Sequence, residues 1–284
     1  MRSALLAATA LVALAAAGVG SVAGAAGAPP TVEVKDAVAR VTVIPENRSD
    51  IKVEIVQPNP QLPIKVKTSG GRTIVNGDLD RRIRSCRGTG EHVQVTVRGI
   101  GDVAWREMPL VVIRTPRDVD INAGGAIWGT IGRSASLKLG NAGCGDWTVA
   151  NVEGPMVISM NGSGDTRTGA AGAAKIRAAG SGATTVGDVR GATEVDIAGS
   201  GDVHVASVNG LLGVHTMGSG DVKIAGGHAT SMTAVVAGSG NILFDGSADT
   251  LKARIAGSGD VHARNVKGDV SKAIMGSGKV SVGN

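Results

Sequence analysis

From about residue 121 onward, apolar and polar positions alternate in short runs that are interrupted at regular intervals by glycine corners. Counting back from a corner, the second, fourth and sixth positions are mostly apolar: Thr216, Val214 and Leu212 in one run, Ile197, Val195 and Thr193 in another, Met160, Ile158 and Met156 in a third. The third and fifth positions are mainly polar, as in Asp196 and Glu194, Arg177 and Lys175, or Arg254 and Lys252. A period of two with one apolar side predicts a strand with one buried face. Beyond each corner the alternation resumes in Asp202-Val203-His204-Val205, Asp221-Val222-Lys223-Ile224 and Asp260-Val261-His262-Ala263, which predicts a second strand. A small turn such as Val208-Asn209-Gly210 then leads into the next unit.

The corner is Gly-Ser-Gly at Gly162, Gly180, Gly199, Gly218, Gly238, Gly257 and Gly276, Gly-Cys-Gly at Gly143, and a degraded Gly-Gly copy at Gly124. Successive copies are 18 to 20 residues apart. A period held this closely means one supersecondary unit stacked on copies of itself. Two strands and their turns leave no room for a crossover helix, so neighbouring copies pair by winding. The expected fold is all-β, a parallel β-helix with coils of about 19 residues that each rise ~4.8 Å. The corner glycines are expected to be structural, because a tight turn needs backbone conformations that a Cβ disfavours.

Three segments follow. Residues 1–25 read as a secretory signal peptide, with Arg2 at the start, a small apolar run over Ala4 to Val22, and Ala23-Gly24-Ala25 as the cleavage site. Residues 26–120 lack the period but keep alternation in Val41-Thr42-Val43, Val53-Glu54-Ile55 and Val93-Gln94-Val95, punctuated by Pro58, Pro60, Pro63, Gly70 and Gly71. They are expected to form an irregular all-β segment that covers the first coil, since an open solenoid end exposes apolar side chains and unpaired backbone. Residues 121–284 are the array.

The repeated Gly-Ser-Gly-Asp followed by alternating valines resembles the head GIN domain family of autotransporter-type adhesins, exported bacterial proteins built on a right-handed β-helix. Residues Arg40 to Val43, Ile51 to Ile55, Thr73 to Asp78 and Val95 to Asp102 are similar to the N-terminal half of that family. The resemblance implies a right-handed solenoid and an adhesion role, and carries over no catalytic residues.

The formal net charge is +5, or +4 once Arg2 leaves with the signal, which favours loose attraction to acidic envelope polymers. Arg81, Arg82, Arg84 and Arg87 cluster between Leu79 and Glu91, and are expected on a solvated loop, with an anion or polysaccharide contact as the alternative. No aromatic residue is interleaved with them, so nucleic acid is not an expected partner. Cys86 and Cys144 are the two cysteines, and in an oxidising compartment they either bridge the N-terminal segment to the array or remain as thiols. Trp128 and Trp147 lie 19 residues apart and are expected to stack in the core of successive coils, with an exposed carbohydrate platform as the alternative.

The position after each corner reads Asp146, Asp165, Ala183, Asp202, Asp221, Asn241, Asp260 and Lys279. The interrupted row is expected to be structural, with Arg167, His204, Lys223 and His262 offsetting its charge; weak calcium binding is the alternative. His204 and His262 share a column three coils apart, too far to ligate one metal. No metal, cofactor or catalytic residue is therefore assigned.

Coils of nearly uniform length leave no loop to wall a cleft, which argues against a polysaccharide lyase or hydrolase. The expectation is an exported, non-catalytic β-helix, periplasmic, secreted or at the cell surface. It has no membrane span after signal cleavage, and meets envelope polysaccharide or another surface protein. The alternative is a polysaccharide-binding or polysaccharide-degrading protein, with the Arg-rich stretch and Trp105 as the place to look. Lys279-Val280-Ser281-Val282 forms the last coil, whose edge is expected to be blunted by Lys279 or to pair with a second copy.

Overall fold

The computed structural model describes residues 29–283, so the expected signal segment lies outside the described residues. The strands before the regular coils are β1 (Thr31–Glu46), β2 (Lys52–Gln57), β3 (Lys65–Ser69), β4 (Arg72–Asn76), β5 (Ile83–Arg87), β6 (Gln94–Val97), β7 (Gly101–Ala104), β8 (Leu110–Pro116) and β9 (Asp118–Ile131). From β9 onward every pairing among the described strands is parallel. β10 (Ser136–Asn141) lies on the first half of β9 and β11 (Trp147–Val149) on its second half. β12 (Pro155–Met160) and β13 (Thr166–Thr168) repeat the pattern one level up. The ladder continues to Val280 on Val261, making a β-solenoid of about nine turns.

The alternation read from the chain sets which side chains enter the solenoid. Leu212, Val214 and Thr216 are buried, as are Met156, Ile158 and Met160, and together with the inward residues of the second strands they form one continuous core. Each fully buried Val, Ile or Leu is worth about 1.5–3 kcal/mol, and the neighbouring coils supply the contacts that a single coil lacks.

Parallel stacking also runs back across residue 120. β1 pairs with β9 from Val32↔Ile121 to Val43↔Ile131, and on its other edge with β4 and β8. β2 and β3 then add antiparallel strands to β8 and β4. The chain thus lays down one coil as β1, sets β4 and β8 on one edge of it during an excursion over residues 47–117, and returns to stack β9 on the other edge. During that excursion β5, β6 and β7 form a separate antiparallel sheet. Its residues Val95, Val97 and Val103, with Val93 just before β6, pack on Val38, Ala126 and Trp128, outward residues of β1 and β9, to make a second core. The Arg-rich stretch is therefore partly a strand of this sheet instead of a loop.

The first array copy is offset by one residue from its expected alignment. The main-chain N–H of Cys144 donates to Gly125 O (3.1 Å), as that of Ser163 donates to Gly143 O (3.1 Å). Gly125, not Gly124, is thus the equivalent of Gly143, and the step there is 18 residues. A one-residue slip in a strand sends every side chain to the other face. Trp147 consequently sits opposite Gly129 inside the solenoid, fully buried, whereas Trp128 points outward into the second core. The two indoles do not stack.

The corner glycines are structural for two reasons. Gly218, Gly238, Gly257 and Gly276 have φ between +131° and +151°, where a side chain is strained. The earlier copies at Gly143, Gly162, Gly180 and Gly199 do not have positive φ, but a Cβ on any of them would press into the backbone carbonyl of the corner one coil below. In the last coil, Val270, Ile274 and Val282 are exposed although their counterparts one coil below are buried. Lys272, not Lys279, reaches across this face and donates from Nζ to Val280 O (3.0 Å).

Candidate functional site

Two outward columns of the coil wall lie side by side. Arg40, Trp128, Asp146 and Asp165 are stacked on successive levels, and two residues further along the same strands run Thr42, Thr130, Thr148 and Arg167. Within a column the spacing is about 4.8 Å, and the two columns are separated by about 6.6 Å along the strand. In later coils the equivalent surface is open to solvent. Here the small sheet overhangs it, with Thr89 and Gly90 between β5 and β6 and Trp105 just after β7.

The result is a groove of about 430 Å³ between wall and sheet, which joins a second hollow of about 420 Å³ around Arg84, Cys86 and Ser163. Thr89, Trp128, Asp146 and Asp165 line both. The cleft that uniform coils were expected to lack is therefore present. Its wall comes from the excursion between β1 and β9, not from loops within the array.

Aromatic side chains form one end of the groove. Trp128 is 7% exposed, and Trp105, half-buried, meets it edge to face with ring centroids 6.0 Å apart. The Arg40 guanidinium lies 5.7 Å from the Trp105 ring, a distance at which cation and ring attract. It also donates to Met108 O (3.1 Å) and Gln57 Oε1 (2.7 Å), so its hydrogen-bonding capacity is largely used within the protein. Trp105 and Trp128 were both picked out from the sequence, Trp128 with Trp147 as an alternative carbohydrate platform; the fold pairs Trp128 with Trp105 instead and adds Arg40.

A disulfide between Cys86 on β5 and Cys144 in the corner after Gly143 holds the small sheet against the coils, with Cα atoms 6.2 Å apart. It fixes the overhang immediately beside Trp128 and Asp146.

The carboxylate row has a role that the sequence did not disclose. Asp146 Oδ1 accepts the main-chain N–H of Asp165 (2.8 Å), Asp165 that of Ala183 (2.9 Å), Asp202 that of Asp221 (2.9 Å) and Asp221 that of Asn241 (2.7 Å). Asn241 and Asp260 continue it to Asp260 and Lys279. Each acid thus holds the entry to the second strand one coil above, where the corner leaves a donor off the ladder. Asn241 does this as well as an acid, which explains its place in the row. Arg167 pairs with Asp165 at 3.5 Å. Among the described residues no group of three or more potential ligands converges on a metal position. His204 and His262 remain apart, and His262 Nδ1 is 2.9 Å from Ser281 Oγ.

The family model described as "Putative auto-transporter adhesin, head GIN domain" matches residues 108–227 and 212–284. The matched residues make up more than half of the chain, and the protein belongs to this family. Among solved structures, an adhesin-type protein from Parabacteroides distasonis is 15% identical, with 89% of this chain and 92% of that one covered and a TM-score of 0.51. Another from Bacteroides fragilis is 14% identical over the same shares, with a TM-score of 0.42. The first likeness extends to the fold alone. No curated protein matches the chain. Among the described residues no helix is long and apolar enough to cross a membrane.

Proposed function

We propose that the protein is an exported, non-catalytic adhesin whose solenoid is a rigid support and whose contact with the cell envelope is made in the groove between the small sheet and the first coils. The observation that carries this reading is the groove itself: aromatic, hydroxyl and carboxylate groups meet under a disulfide-pinned overhang in a family of adhesin type. Clefts of a few hundred Å³ that combine aromatic surface with a few polar groups are the usual form of a recognition site. The later coils contribute length and stiffness.

Fluorescent beads coated with the disulfide-intact protein are expected to adhere to producing cells or their envelope fraction. Beads carrying Trp105→Ala, confirmed as folded by circular dichroism, should adhere markedly less. Equal adherence of the two would move the contact elsewhere on the molecule. Release of reducing ends from envelope polysaccharide by the purified protein would overturn the non-catalytic reading.

A further inference from the structure

We propose that the groove binds a run of neutral sugar rings in a polysaccharide, stacking one ring on the Trp105–Trp128 corner and reading hydroxyls with Asp146, Thr130 and Thr148. This rests on the adhesin reading above and names the chemistry of its partner.

Three features select this occupant. The C–H face of a pyranose needs an aromatic surface that is rigid and partly dry, and the edge-to-face pair of Trp105 and Trp128 provides one. The hydroxyls need acceptors and donors that the protein has not already used. Asp146 spends Oδ1 on the Asp165 main chain and has no partner on Oδ2 among the described residues, and the Thr130 and Thr148 hydroxyls stand exposed on adjacent levels. The two threonines stand about 4.8 Å apart, so each of two successive rings meets a hydroxyl.

Charge then separates neutral from acidic sugars. Arg40 is engaged by Met108 O, Gln57 and Trp105, and Arg167 is paired with Asp165. Arg40 and Arg167 on the groove lining are matched in number by Asp146 and Asp165, so the lining carries no net charge, and a uronate entering it would give up the water around its carboxylate with no unmatched cation to receive it. An extended peptide is a poorer occupant. The strands under the groove are paired on both edges, so no backbone edge is available for strand addition.

The test titrates the full mature chain with neutral gluco-, manno- and galacto-configured tetrasaccharides and with tetragalacturonate, followed by tryptophan fluorescence and calorimetry. At least one neutral tetrasaccharide is expected to bind, more tightly than tetragalacturonate. Trp105→Ala should weaken that binding about tenfold or more, as expected of an aromatic anchor. Asp146→Asn keeps the acceptor for the Asp165 N–H, and should narrow the difference between neutral and uronate ligands.

Absence of binding by every neutral tetrasaccharide, preference for the uronate, or full affinity in Trp105→Ala would overturn the proposal. Bead adherence that persists without neutral-sugar binding rejects this ligand class alone. Loss of adherence by the unmodified protein rejects the adhesin reading itself.

Discussion

The six-membered ring of Trp147 lies directly over Gly129, where a Cβ would collide with it. The largest side chain in the solenoid core is accommodated because its neighbour one coil below has none. Gly129→Ala is expected to cost about 1–3 kcal/mol through overpacking, measured by chemical denaturation. In the double variant with Trp147→Leu, the added methyl group should be close to neutral relative to Trp147→Leu alone. Independent, additive effects would show that the two positions do not share one space.

Gly124 and Gly125 differ in what they tolerate. Gly125 has φ +114° and a Cβ there would meet the Ala37 backbone, whereas a Cβ on Gly124 meets nothing within 4 Å. Gly125→Ala should destabilise the protein by about 2 kcal/mol or more. Gly124→Ala should be neutral, or stabilising by a few tenths of a kcal/mol through the unfolded chain. Thermal melts of the two variants therefore report which glycine is the corner, and the reverse order would move the register back by one residue.

Asp221 accepts from both the main-chain N–H (2.7 Å) and the side-chain amide (3.1 Å) of Asn241. Asp221→Ala should cost about 1–2 kcal/mol, while Asp221→Asn should retain most of the stability because it keeps an acceptor. Adding calcium or a chelator should leave the melting temperature unchanged. A calcium-dependent rise would reopen the row as a cation site.

Reduction of Cys86–Cys144 releases a loop closed across a sequence separation of 58 residues. Chain-entropy arguments put such a closure at about 4 kcal/mol. The loss should be local, because the coils are held by their own ladder. Tryptophan fluorescence from Trp105 and Trp128 should shift on reduction while the far-ultraviolet signal of the strands persists. The unreduced protein should contain no free thiol. Simultaneous collapse of both signals would show that the small sheet is required for the solenoid to stand.

The solenoid was legible because its contacts repeat. Val195, Val214 and Ala234 say the same thing once per coil, and a pattern restated in successive coils survives the irregular ones. The groove was not legible, because its parts occur once and meet across unequal separations. Arg40 reaches Met108 across 68 residues and Cys86 reaches Cys144 across 58, with no period to expose either. The 18-residue step between Gly125 and Gly143, where Gly124 had suggested 19, also hid the direction of Trp128. Counting from Gly124 made that tryptophan an inward residue, and one residue of register turned it out.

The chain by itself determined the coil length, the inward and outward positions of most of the array and the need for glycine at its corners, since these follow from local alternation repeated in register. Tertiary structure alone decided that β1 is a coil, that the small sheet folds over the first levels, and that Trp105, Trp128, Arg40 and Asp146 share one groove. Periodicity specifies how a coil meets its own copy. It carries no information about where a non-repeating segment lands, which is settled by the burial of Val93, Val95 and Val97 against the apolar outer wall at Val38, Ala126 and Trp128.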